Sequence, residues 1–361
     1  MKARIGLTAL ALVMSGPAFS QEVVNVFNWS DYIAADTIEK FQEETGIRVV
    51  YDVYDSNDVL EARLLAGSSG YDVVVPTSSY LARQIPAGAY QPLDMSKLPN
   101  AAGLDEKLME AVAAHDPGNE HAVIYMWGTN GIGYNVEMVA ERLGDDAPTD
   151  SWSLVFDPEY ASQLADCGIS FLDSSSDMFP VALQYLGLDP HSTDEADLER
   201  AAELMESVRP HVRYFHSSQY ISDLANGETC VAIGWSGDVL IAMDRAEEAG
   251  QGVELAYTIP KEGTIEWFDM MAIPADAPNA DNAHAFINFI LQPEIVADIT
   301  NYVFYPNAIP ASLEYVDPEI SEDESIYPPD EVMANLFPSP VYDARTDRVL
   351  TRLWTRVRTG Q

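Results

Sequence analysis

Three times the chain sets an aspartate two or three residues after a tryptophan: Trp29-Ser30-Asp31, Trp235-Ser236-Gly237-Asp238 and Trp267-Phe268-Asp269. An indole offers a broad π face that attracts cations and lies flat against methylene groups. An aspartate adds a fixed negative charge. A site built from both suits a ligand that is apolar in the middle and positively charged at its ends. In a chain with 6 tryptophans and 58 acidic residues, one such pair is most simply core beside solvated surface. Three pairs, each read where a strand gives way to a loop or helix, predict convergence on one cleft.

Other chemistry finds little footing. The chain has no HExxH, no P-loop and no GxSxG; Gly234-Trp235-Ser236-Gly237 misses the nucleophile-elbow spacing by one residue. Gly131-Ile132-Gly133 lacks the third glycine of a dinucleotide fingerprint, and the six histidines, His211 and His216 included, show no zinc spacing. No catalytic residue, metal site or cofactor is therefore expected. The strongest enzyme alternative is a secreted glycoside hydrolase, which also joins tryptophan platforms to paired carboxylates, but no hydrolase motif supports it.

The elements that must position these residues alternate between strand and helix. Residues 23–27 read as a buried strand, about 31–44 as a helix with Ile38 and Phe41 inward and Gly46 as its stop, and 47–53 as the next strand. A helix over about 57–66 and a strand over 71–76 follow. This βαβαβ rhythm predicts a mainly parallel sheet covered by helices, with ligands beyond the carboxyl ends of its strands. From about Tyr134 the rhythm restarts: strands at 168–172 and 231–234, helices near 177–186 and 194–208, and a helix from Trp235 to about Ala249. Strands at 253–259 and 265–273 precede helices near 279–291 and 293–300. From Arg345 onward, five arginines accompany Val349, Leu350, Leu353, Trp354 and Val357 at helical spacing, predicting an amphipathic helix whose arginines meet acidic surface.

Residues 1–20 read as a secretion signal: Lys2 and Arg4, an apolar run from Ile5 to Met14 too short to span a bilayer, and Ala18-Phe19-Ser20 before a cut at Gln21. The expected location is a bacterial periplasm, with no stable membrane insertion. Such a compartment favours a disulfide between the two cysteines, Cys167 and Cys230, over two free buried thiols. Loss of Lys2 and Arg4 takes the formal charge from −39 to −41, which disfavours nucleic acid and enriches cations near the surface. About 340 remaining residues exceed what one core sustains, so two lobes are expected.

With those residues in view, the chain resembles the periplasmic polyamine-binding proteins that serve ABC importers for putrescine and spermidine. The resemblance covers nearly the whole chain and is densest in 26–32, 72–76, 214–220, 223–227, 235–238, 260–263 and 303–305. It implies an α/β, two-lobed type II periplasmic binding protein fold with ligand in the interlobe cleft. Lobe one would comprise 22–133 plus 258–303, and lobe two 134–257 plus 304–361. The implied ligand contacts are Trp29, Ser30, Asp31, Tyr32, Ser79, Asp177, Trp235, Asp238, Trp267, Asp269 and Tyr305. Asp177 stands where the family usually has glutamate, one methylene longer. Ser217 and Arg245 would support the site from behind, the arginine orienting a cleft carboxylate. Spermidine-preferring members tend to carry tryptophan at the Trp267 position and putrescine-preferring ones phenylalanine, giving a slight lean to spermidine, although much of the chain is closer to the putrescine type. Implied partners are the polyamine and the permease subunits of an importer. The same scaffold tuned to agmatine or a cationic amino acid is the alternative.

Overall fold

The computed structural model describes residues 22–360, so the leader expected at residues 1–20 lies outside the described residues. Ten strands join in one sheet: β1 Val23–Trp29, β2 Arg48–Tyr54, β3 Val73–Val74, β4 Ala122–Asn135, β5 Ile169–Phe171, β6 Val212–Phe215, β7 Val231–Trp235, β8 Leu255–Thr258, β9 Thr264–Ala272 and β10 Leu336–Pro338. Their order is β2-β1-β3-β9-β4-β7-β5-β6, with β10 added to β9 and β8 to β4.

Both ends of this order are parallel, as the βαβ rhythm requires: β1 pairs with β2 and β3, and β5 with β6 and β7. The middle corrects the expectation of a mainly parallel sheet. β9 runs antiparallel to β3 and β4, and β4 antiparallel to β7 and β8. The cause lies in the path of the chain. It crosses the molecule along β4 and returns along β8 and β9, joined by the short link 259–263, and a returning neighbour must run the opposite way.

β4 is the joint of the molecule. Its first half pairs with β9, from Ala122↔Ala272 to Thr129↔Glu266, and its second half with β7, from Asn130↔Trp235 to Tyr134↔Val231. No strand is predicted over 122–133, because the segment is buried on both faces and shows no alternation of apolar with polar residues.

Two boundaries shift for local reasons. The helix expected from Asp31 spans Thr37–Thr45 instead. Asp31 takes a left-handed conformation (φ 52°), which turns the chain out of β1 before a helix can start. The helix ends as predicted at Gly46, at φ 72°, whose N–H reaches the Gln42 carbonyl. The strand expected over 71–76 shrinks to Val73–Val74, since Pro76 has no N–H to give to a ladder.

The C-terminal helix Ala344–Thr359 buries Leu350, Leu353, Trp354 and Val357. Its arginines meet acids of the neighbouring surface: Arg352 reaches Glu195 at 2.6 Å, Arg356 reaches Glu199 at 2.9 Å and Arg358 pairs with Asp173. Cys167 and Cys230 form a disulfide that ties the turn before β5 to the start of β7.

Candidate functional site

One cleft opens where β4 changes partners. Along β4, Gly128 lies opposite Trp267 of β9 and Asn130 opposite Trp235 of β7, which brings two of the three predicted tryptophans within two residues of one another along a shared strand. The third, Trp29, ends β1, and its ring centroid lies 5.9 Å from that of Trp235, edge to face. Gly128 is required here: a Cβ on it would fall 2.7 Å from the Trp267 ring.

Trp29 and Trp235 stand at strand ends as expected. Trp267 and Asp269 do not; they occupy the interior of β9. Alternate residues of a strand share a face, so both still look into the cleft. The strand-end expectation fails for this pair because β9 continues past the cleft to pair with β3.

The cleft envelope, including the space that opens to solvent, is about 730 Å3. Trp29, Ser30, Asp31, Tyr32, Ser79, Asp177, Trp235, Asp238, Trp267, Asp269 and Tyr305 all line it. Ser217 lines it too rather than standing behind it. Arg245 sits outside, where its guanidinium meets Asp31 at 3.3 Å. Sequence reasoning missed Asn57, Thr77 and Tyr80, which also face the cleft. A lone threonine or asparagine at the start of a helix carries no periodic or charge signal that marks it as a cleft residue.

Three carboxylates are set deep in this cleft, each held by neutral donors. Asp269, only 5% exposed, accepts from Thr77 Oγ1 at 2.7 Å. Asp238, in the first turn of the helix Ser236–Ala249, accepts from the Tyr220 hydroxyl at 2.8 Å and the Tyr305 hydroxyl at 2.9 Å. Asp177 accepts from Asn130 Nδ2 at 3.0 Å, from Trp235 Nε1 at 3.4 Å and from Ser174 Oγ. Asp177 and Asp238 are partly exposed and line the cleft. Among the described residues, none of the three is ion-paired with a lysine, arginine or histidine; the nearby arginine is spent on Asp31 at the rim.

Burial therefore works against their charge. It pushes Asp269 up to about 7 and Asp238 up to about 6, and it raises Asp177 as well; the donors oppose the rise without cancelling it. Burial also drives the Tyr220 and Tyr305 phenols far upward, so both remain donors.

Tyr305 is placed by two local devices. Phe304 caps the helix Pro293–Val303 in a left-handed conformation, φ 57°, and swings the next residue back toward the cleft. Gly237 lets the phenol ring approach, since a Cβ there would fall 2.5 Å from the ring and 2.5 Å from the Val303 carbonyl oxygen. Tyr305 then stacks edge-on with Trp267 (5.2 Å) and Tyr32 (5.3 Å). The Trp267 Nε1 and Tyr32 hydroxyl, both buried, have no partner among the described residues.

A recessed trio of acids, not ion-paired among the described residues and walled by indoles and phenols, has the chemistry to hold a cationic, partly aliphatic solute. The profile of the bacterial extracellular solute-binding proteins matches residues 36–328. The putrescine-binding periplasmic protein SpuD of Pseudomonas aeruginosa is 54% identical over 100% of both chains, and the putrescine-binding periplasmic protein PotF of Escherichia coli 52% identical over 99% of this chain and 97% of that one. Among solved structures, the spermidine/putrescine ABC transporter substrate-binding protein PotD of Streptococcus pneumoniae superposes with a TM-score of 0.76 at 28% identity, covering 94% of this chain and 99% of that one. The chain belongs to the bacterial extracellular solute-binding proteins and, within them, to the periplasmic polyamine-binding receptors of ABC importers. It is a solute-binding protein and not an enzyme, which removes the hydrolase alternative.

Proposed function

We propose that this protein captures a linear polyamine in the cleft, putrescine foremost, and presents it to the membrane subunits of an ABC importer. The observation that carries this reading is the trio Asp177, Asp238 and Asp269, recessed, hydrogen-bonded by neutral donors and, among the described residues, in no ion pair. Removing an ammonium from water costs several kcal/mol after relaxation, roughly, so each end of a diamine needs a carboxylate and further hydrogen bonds. Trp29, Trp235 and Trp267 cover the methylenes and add cation–π attraction of up to ~2 kcal/mol where desolvated.

The relatives refine the choice of polyamine. The relatives at 54% and 52% identity bind putrescine by name, whereas spermidine/putrescine-binding relatives of Salmonella typhimurium and Escherichia coli are 33% and 32% identical. That distribution favours putrescine and lends nothing to the spermidine lean drawn from Trp267. Agmatine is the second reading, because a putrescine/agmatine-binding relative of Pseudomonas aeruginosa is 44% identical over 98% of this chain.

In the same reading the two lobes are 22–133 with 258–303, and 134–257 with the C-terminal helix, closing about β4 and β9. The segment 304–309 goes better with the first lobe than with the second, as Trp127 donates its N–H to the Pro306 carbonyl and Asp105 to that of Ala308. Residues 1–20 would direct export to the periplasm.

A thermal-shift and calorimetry panel of putrescine, cadaverine, agmatine, spermidine and spermine tests the function. Putrescine should raise the melting temperature most at equal concentration. If no dication raises it while a neutral sugar does, the reading is wrong.

A further inference from the structure

We propose that Asn57 is a positioning residue for ligand capture: through Thr77 it fixes which way a hydroxyl proton points, keeping Oδ1 of Asp269 occupied and Oδ2 turned to the ligand. The inference rests on the polyamine-binding reading for its purpose, but its geometry stands apart from it.

Thr77 has a single hydroxyl proton to give. Asn57 Nδ2 donates to Thr77 Oγ1 at 2.9 Å, so the threonine proton must go elsewhere, and Asp269 Oδ1 lies 2.7 Å away. The asparagine amide cannot be reversed without loss, because its Oδ1 already accepts from the Thr77 backbone N–H at 3.1 Å. The three groups therefore form a relay with one polarity: Asn57 to Thr77 to Asp269. The Tyr32 hydroxyl also faces Asp269 and opposes the rise of its carboxyl, although it makes no well-formed hydrogen bond among the described residues.

Two further features separate this relay from ordinary helix capping. Thr77 is the N-cap residue of the helix Ser78–Gln84, in extended conformation, yet its hydroxyl makes no cap bond. An N-cap threonine usually gives its oxygen to the first-turn N–H groups. Here the Thr77 carbonyl accepts from Tyr80 and Leu81 at 3.0 Å, and the hydroxyl is left for Asp269. Asn57 begins the helix Asn57–Leu65, whose cap is supplied by Ser56 through Val59 N–H. Neither side chain is needed by its own helix: the threonine is turned to the carboxylate and the asparagine to the threonine.

The test uses Asn57→Ala, Thr77→Val and the double variant of the full chain, with thermal midpoints confirming that each folds. The first readout is ligand-free: the Asp269 carboxyl titration followed by 13C NMR. Both single variants should move that titration upward, since each weakens donation to the charged form, and the double should match Thr77→Val alone. The second readout is putrescine affinity by calorimetry. Thr77→Val should weaken it on the order of tenfold, Asn57→Ala severalfold, and adding Asn57→Ala to Thr77→Val should cost nothing more. An Asp269 titration unmoved by Asn57→Ala, or an Asn57→Ala loss just as large in the Thr77→Val background, overturns the relay. Failure of the wild-type protein to bind putrescine would instead defeat the functional reading and leave the carboxyl titration to judge the relay.

Discussion

Lowering the pH should dismantle the site before it unfolds the protein. A dication is held by ionised acids, yet burial raises Asp269 to about 7 and Asp238 to about 6 in the ligand-free cleft. At pH 8 both are charged. At pH 5 the protons must be expelled on binding, which weakens the apparent affinity about a hundredfold for Asp269 and about tenfold for Asp238. Together this amounts to about a thousandfold, or about 4 kcal/mol. Calorimetry across pH 5–8 reads the affinity directly. Repeating it at pH 6 in buffers of different ionisation enthalpy counts the protons released, which should lie between one and two. Without ligand the trend reverses. A carboxyl whose folded value exceeds its unfolded value binds more protons when folded, so between about 4 and 7 these groups favour the folded state more as pH falls. The melting temperature of the free protein should therefore rise from pH 8 to pH 5.5 while the polyamine-induced increment shrinks. Affinity flat across pH 5–8 with no proton release would refute the assignment of Asp238 and Asp269 as buried ligand acceptors.

Replacing Asp269→Asn should leave the fold intact, raise the melting temperature of the free protein slightly and weaken putrescine binding at least about tenfold at pH 8; unchanged affinity in calorimetry removes Asp269 from the site. Gly237→Ala pushes a methyl into the Tyr305 ring and the Val303 carbonyl, costing about 1–3 kcal/mol of stability and displacing a donor of Asp238. Denaturant melts and binding should both register that change, and a variant with wild-type affinity would show that Tyr305 does not support Asp238. Joint replacement Cys167→Ser and Cys230→Ser opens a loop with a sequence separation of 63, for which chain entropy predicts a loss of about 4 kcal/mol. Putrescine affinity should stay within about twofold, because both cysteines lie away from the cleft lining.

The parts of this molecule that were legible in the sequence are those governed by local repetition. The amphipathic helix Ala344–Thr359 and the helix stop at Gly46 follow from spacing and from one residue's conformational tolerance. The sheet centre was not legible. β4 is buried along almost its whole length, and burial on both faces erases the alternation that marks a strand. Its pairing with β9 joins residues more than 130 apart, which no local pattern encodes.

The site shows the same division in sharper form. Tryptophan and aspartate are chemically loud, and their recurrence at 29–31, 235–238 and 267–269 points to one cleft, which all six residues line. What tunes the acids is quiet: Thr77, Asn57, Asn130, Ser174 and the phenols of Tyr220 and Tyr305. Each of them is a neutral donor, and that neutrality is functional. An arginine or lysine in their place would stabilise the carboxylates more strongly, but it would also supply the very charge the ligand must bring. Donors that hold an acid in place without compensating it leave the free cleft short of positive charge. Arg245, beside the cleft, is kept at the rim on Asp31, 3.3 Å away and on the solvent side. Selectivity for a cation therefore follows from which polar groups the fold withholds as much as from the acids it supplies.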